Sequence, residues 1–109
     1  MELQRLLPSM DEAELGRMTA NAKLATEFMK ALTHEGRLMI LCHLVSGEKS
    51  VTELERLLAT RQSAVSQQLS RLRLDGLVDY RRDGKTLYYR ISDPKVERML
   101  ALVYDMFCD

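Results

Sequence analysis

The amino-acid sequence predicts a mainly α fold with a small β-hairpin wing, and three features carry that prediction. Apolar residues recur at helical spacing in successive segments separated by glycines and short polar joins. Ser50 stands three residues before Glu53, the spacing of a capping box, in which each side chain satisfies an orphan backbone N–H of a helix's first turn. Two runs rich in Val, Tyr, Thr, Leu and Ile flank Asp83-Gly84, a strong hairpin signal because both residues tolerate positive φ. At 109 residues, 46% of them apolar, the chain suits one compact core rather than two, and dimerisation is one way to complete it.

Pro8 breaks the first segment, and Asp11, Glu12 and Glu14 suit the opening turn of a helix, so residues 1–19 read as an arm and the start of the first helix. Over residues 20–32, Leu24, Phe28 and Leu32 form an apolar stripe for a core or a partner. Residues 37–45 set Leu38, Leu41 and Val45 on one side with Ile40 and Leu44 close by, which predicts a central, mostly buried helix ended by Gly47. The capping box opens the next helix, expected to bury Val51, Leu54 and Leu58. Ala59 and Thr60 join it tightly to a helix over residues 62–75, in which Val65, Leu69 and Leu72 fall at i, i+4 and i+7 and so face inward, and Gly76 supplies a left-handed stop. Residues 77–91 form a two-stranded wing. Asp93 fits an N-cap with Pro94 at the first helical position, where the missing N–H costs nothing. The last helix, over 93–108, carries Met99, Leu100, Leu102, Val103, Met106 and Phe107 on more than one face, more than a small monomer core absorbs.

The formal charge of the chain is zero, yet its distribution is uneven. Residues 61–90 hold seven basic and three acidic residues, a net +4, while 1–60 and 91–109 each carry a net −2. A basic centre between acidic ends suits a domain that offers one face to phosphates. With Val65, Leu69 and Leu72 inward, helical geometry sends Gln62, Ser63, Ser66, Gln67 and Ser70 outward. Such short polar side chains let a helix settle in a major groove, where Gln pairs with adenine and Ser bonds base edges or phosphates. Arg61, Arg71 and Arg73 lie nearby for the DNA backbone, and Arg81, Arg82 and Lys85 on the hairpin reach adjacent phosphates or the minor groove. A two-helix turn over 50–75 followed by a basic hairpin is a winged helix-turn-helix, with residues 20–109 as its single domain. A solvated helix face, or a winged helix used for protein contacts, gives the same pattern without DNA.

Other classes find less support. No run reaches the length of uncharged residues that a membrane span needs, which points to a soluble, cytoplasmic protein with no membrane partner. Two cysteines, Cys42 and Cys108, are too few for a disulfide framework, and no Cys-x-x-Cys pair offers a zinc ribbon or a redox site. No nucleophile with a partner base and no glycine-rich phosphate loop is recognisable, so neither an enzyme nor a bound cofactor is expected. The two thiols can serve as small hydrophobes in a core or as reactive groups.

The segments ALTHEGRLMILCHL and SVTELERLLATRQSAVSQQLSRLRLDGLVDYRRDGKTLYYRI resemble the ArsR/SmtB family of bacterial repressors, SAVSQQLSRLRLDGLV most specifically. The resemblance implies a homodimer formed through the first and last helices that binds double-stranded operator DNA and lets go when an inducer arrives. Cys42 in ILCHL and Cys108 at the end of the last helix resemble the two-cysteine, persulfide-sensing subgroup. That implies a redox pair that takes sulfur from donors such as glutathione persulfide and closes a tetrasulfide within one subunit. A plain disulfide needs Cα atoms within roughly 7 Å, so slightly wider spacing favours a longer sulfur bridge and distinguishes persulfide from peroxide. The chain departs from metal-sensing relatives: MILCHLV holds one cysteine where they have Cys-Val-Cys, and the last helix has no histidine. Cys42, His43 and Cys108 are legitimate metal ligands, but adjacent helical residues point in different directions, so the expectation is no metal site, with a metal-sensing repressor as the alternative.

Overall fold

A capping side chain opens four of the five helices found among the described residues. The computed structural model describes residues 9–59 and 62–108, with the backbone alone for Gln62 and Ser63. It comprises α1 (Glu12–Leu32), α2 (Glu35–Leu44), β1 (Lys49–Ser50), α3 (Val51–Leu58), α4 (Gln62–Leu74), β2 (Val78–Asp83), β3 (Thr86–Ile91) and α5 (Pro94–Phe107). The chain divides into two compact units, Met1–Lys30 and Ala31–Asp109.

In the first unit, the Asp11 carboxylate accepts the Glu14 N–H at 2.8 Å and fixes the start of α1. The stripe predicted along this helix is uneven: Phe28 is half-buried, but Leu24 is 64% exposed.

The second unit holds the core. Ile40, Leu41 and Leu44 of α2, Leu54 of α3, and Val65, Leu69 and Leu72 of α4 are each 3% exposed or less, and Val96 of α5 joins them. Burial of each such aliphatic side chain stabilises the fold by about 1.5–3 kcal/mol relative to exposure. The inward set of α4 is the one predicted. Three neighbouring expectations need correction. Val45 is 51% exposed because α2 ends at Leu44 and Val45 forms its C-cap, with its N–H turned back to the Cys42 carbonyl. Val51 and Leu58 are only half-buried, since eight residues give α3 two turns and one central position, Leu54.

The joints follow backbone chemistry. The Ser50–Glu53 capping box is complete, with both hydrogen bonds at 3.1 Å. Ala59 then turns left-handed (φ 51°), ending α3 where Gly would be the usual choice; the predicted partner in that joint, Thr60, lies outside the described residues. At the end of α4, Gly76 adopts φ 78°, its N–H bonds the Arg73 carbonyl and the Leu77 N–H bonds the Leu72 carbonyl, forming a Schellman motif that satisfies the orphan carbonyls.

The sheet has three antiparallel strands in the order β1-β3-β2, not the two predicted. Lys49 and Ser50 pair with Tyr89 and Tyr88, an addition too short for any hydrophobic alternation to announce. The hairpin turn also shifts by one residue. Asp83 pairs with Thr86, so Gly84 and Lys85 form the loop, and Gly84 alone has positive φ (63°). Gly at the first central position is the type II′ arrangement, which matches the twist of the flanking strands.

Asp93 caps α5 through the Lys95 N–H at 2.9 Å, with Pro94 at the first position as predicted. Val96 and Leu100 face the core, Met99 and Val103 are half-buried, and Leu102, Met106 and Phe107 are 53%, 59% and 80% exposed.

Candidate functional site

The Val65–Leu69–Leu72 face fixes the rotation of α4 and thereby its outer face. Ser66 is half-buried at the edge of that face, and Gln67, Ser70, Arg71 and Arg73 are exposed. Gln62 and Ser63 sit in the first turn of the same helix, and Arg61 lies outside the described residues. Gln68, which the sequence pattern does not single out, is half-buried and lies 3.3 Å from Nε2 of His34. The other ring nitrogen of His34, Nδ1, accepts the Gly36 N–H at 3.0 Å and caps α2. The atom facing Nε2 is the Gln68 carboxamide nitrogen; with Nδ1 an acceptor, a neutral ring carries its proton on Nε2, and the carboxamide turned to present its oxygen accepts that proton. Gly36 leaves room for this ring: a Cβ there would sit 3.1 Å from it. One histidine therefore ties the start of the central helix to α4.

The predicted cations divide into committed and open groups. Arg71 Nε pairs with Asp75 at 3.2 Å, one turn along α4. The Arg73 guanidinium lies 4.3 Å from the centroid of the Tyr80 ring, and Tyr80 meets Tyr89 edge to face at 5.4 Å, so α4 and the sheet share one aromatic stack. Burial, followed by the charge of Tyr80, pushes the Tyr89 hydroxyl up, and Arg73 partly offsets this. Arg81 Nε donates to both Glu48 oxygens at 2.9 and 3.0 Å, Nη2 also donates to Oε1, and the guanidinium rests 4.7 Å over the Tyr88 ring. The hydrogen bond from Arg81 holds the Glu48 carboxyl below the usual carboxylate range. Arg82 and Lys85 are exposed and have no ion-pair partner among the described residues. Sequence reasoning missed Glu48, Tyr80 and Tyr88, whose roles depend on strand pairing rather than on spacing along the chain.

Cys42 stands on α2 and Cys108 caps the end of α5, its N–H bonded to the Tyr104 carbonyl at 2.8 Å. Both thiols are free and exposed. Partial burial pushes the Cys42 thiol above its ordinary value, and charge on Cys108 pushes it the same way. The two cysteines are 66 positions apart in sequence. Among the described residues, no three His, Cys, Asp or Glu side chains come together to hold a metal ion, and no helix is long and apolar enough to cross a membrane.

A capped helix, a left-handed turn and a second helix stacked against an antiparallel hairpin define a winged helix-turn-helix regulator. The chain belongs to the arsR family of bacterial regulatory proteins, whose pattern it matches over residues 34–80. It is 45% identical to the biofilm growth-associated repressor of Agrobacterium fabrum over 94 residues, covering 84% of this chain and 80% of that protein. Reduced HlyU from Vibrio cholerae has a similar structure, with a TM-score of 0.81 at 41% identity over 85% of this chain and 98% of that one. The transcriptional repressor BigR from Xylella fastidiosa also gives 0.81, at 38% identity over 86% and 96% of the two chains.

Proposed function

We propose that this regulator is a dimeric repressor that binds operator DNA through α4 and the wing, and that the Cys42–Cys108 pair senses persulfides. The sensing half is supported by two free, exposed thiols, Cys42 on α2 and Cys108 at the end of α5, with charge on Cys108 adding to the burial that raises the Cys42 thiol. The DNA half is supported by the polar outer face of α4 beside the open cations Arg82 and Lys85. The similarity to proteins named as repressors supports the direction of control.

In the proposed chemistry, each thiolate attacks the sulfane sulfur of a persulfide and releases the donor's thiol, leaving a persulfide on each cysteine. A third donor extends one of them by a sulfur. Attack by the other persulfide then expels hydrosulfide and leaves four sulfurs between Cβ42 and Cβ108, so the donors supply both the sulfur and the oxidising equivalents. The bridge joins the C-terminal end of α5 to α2, which packs on α4. Dimerisation through the first and last helices would convert that local strain into a changed spacing of the two recognition helices. A coupling of about 1–3 kcal/mol changes affinity roughly 5–150-fold, enough to empty an operator.

The test titrates the protein on its own upstream DNA before and after exposure to glutathione persulfide, hydrogen peroxide and zinc, with mass spectrometry of each product. Release by persulfide alone, with a mass gain of bridging sulfur, is expected. Release by persulfide in Cys42→Ser or Cys108→Ser would refute the two-thiol mechanism.

A further inference from the structure

The two faces of the wing differ in charge. Alternation along β2 puts Tyr80 and Arg82 on one face and Asp79, Arg81 and Asp83 on the other. The first face is the one that meets α4, because Tyr80 receives Arg73. On the second face, Arg81 and Arg90 stand directly across from Tyr88 and Asp79 in the strand register. There Arg81 is held by Glu48 and approached by Asp83 at 3.9 Å, and Arg90 by Asp79 at 4.0 Å. Three carboxylates thus face two guanidinium groups. The Glu48 carboxylate presents two oxygens to Arg81 much as a phosphate would.

We infer that Glu48 is a specificity-determining residue: it occupies Arg81 on the far face of the sheet in place of a DNA phosphate, so that the wing engages DNA through Arg82 and Lys85 alone. The inference rests on the DNA-binding reading above and refines it, since it removes Arg81 from the phosphate contacts that the sequence predicts. Its consequence is restraint. Arg81 gains a phosphate only by losing Glu48, so the exchange adds little, and indiscriminate attraction to any duplex is held down while groove contacts by α4 are untouched.

The experiment measures binding to a random duplex and to the upstream DNA at graded salt for the wild type, Glu48→Gln, Arg81→Gln and the double variant. Each added phosphate contact steepens the slope of log affinity against log salt by about 0.9. Glu48→Gln should steepen the random-duplex slope by about that amount per subunit and raise low-salt affinity several-fold, whereas in the Arg81→Gln background the same change should leave the slope unmoved. An unchanged slope in Glu48→Gln, or equal steepening in both backgrounds, would overturn the inference, the latter by showing that Glu48 acts through its own charge. Wild-type protein that binds no DNA would defeat the parent reading instead. The Nε–H resonance of Arg81 provides a check without DNA: it should be protected from exchange in the free wild type and lose that protection in Glu48→Gln. Equal exchange in both proteins would also overturn the inference.

Discussion

The helix-turn-helix and the C-terminal helix end differ in how much of their apolar surface one chain can cover. Val65, Leu69 and Leu72 on α4 are at most 1% exposed, whereas Leu102, Tyr104, Met106 and Phe107 on α5 are all more than half exposed. One chain covers the inward face of α4, and Leu74 at the end of that helix is 80% exposed. The far end of α5 keeps exposed apolar side chains, and Cys108 lies at its tip.

Several substitutions would break or sharpen that contrast. The largest effect is expected from Leu69→Ala, which opens a cavity at the covered face of α4 and should cost about 2–5 kcal/mol in a urea melt. Leu102→Asp with Phe107→Asp should instead leave each chain folded and shift the protein to monomer in light scattering, with a loss of about 2 kcal/mol or more of association energy. A dimer unaffected by those charges would place the interface elsewhere. Next in size, Ser50→Ala removes the capping box that opens the helix-turn-helix and should cost about 1 kcal/mol by the same melt. Arg82→Gln should leave stability unchanged and reduce the salt slope of DNA binding by about 0.9 per subunit.

The smallest expected effect concerns the thiols. Because burial and the neighbouring Cys108 raise the Cys42 thiol, less of it is thiolate at neutral pH than in an ordinary cysteine. Its alkylation by iodoacetamide should therefore be slow at pH 7 and climb as pH rises. Cys108→Ser should speed it at alkaline pH, where charge on Cys108 would otherwise oppose the second thiolate. An unchanged rate would separate the two sulfurs electrostatically.

Local chemistry was readable from the chain wherever the cause lay within a few residues. Ser50 with Glu53, Asp93 with Pro94, Gly76 after α4 and the i, i+4, i+7 set of Val65, Leu69 and Leu72 each specify their own conformation, and each appears in the fold. Reading failed where the outcome depended on distant neighbours or on length. The strand Lys49–Ser50 exists because β3 has an edge to pair with, and Val45 is exposed because α2 stops one residue earlier than its apolar run. The candidate DNA-binding cations show the same division. Their clustering was visible in the charge distribution, but the separation of Arg82 and Lys85 from Arg71, Arg73 and Arg81 required knowledge of their partners.

The sequence by itself determined the order of the helices and the hairpin, the inward face of α4 and the family, since periodicity, caps and turn residues act over one or two helical turns. Only the tertiary structure decided that Glu48 captures Arg81 across the sheet, that His34 reaches Gln68, and that charge on Cys108 is felt at Cys42. Those pairs lie 33, 34 and 66 positions apart in sequence. No local rule links such residues, and their meeting is a by-product of how the core packs.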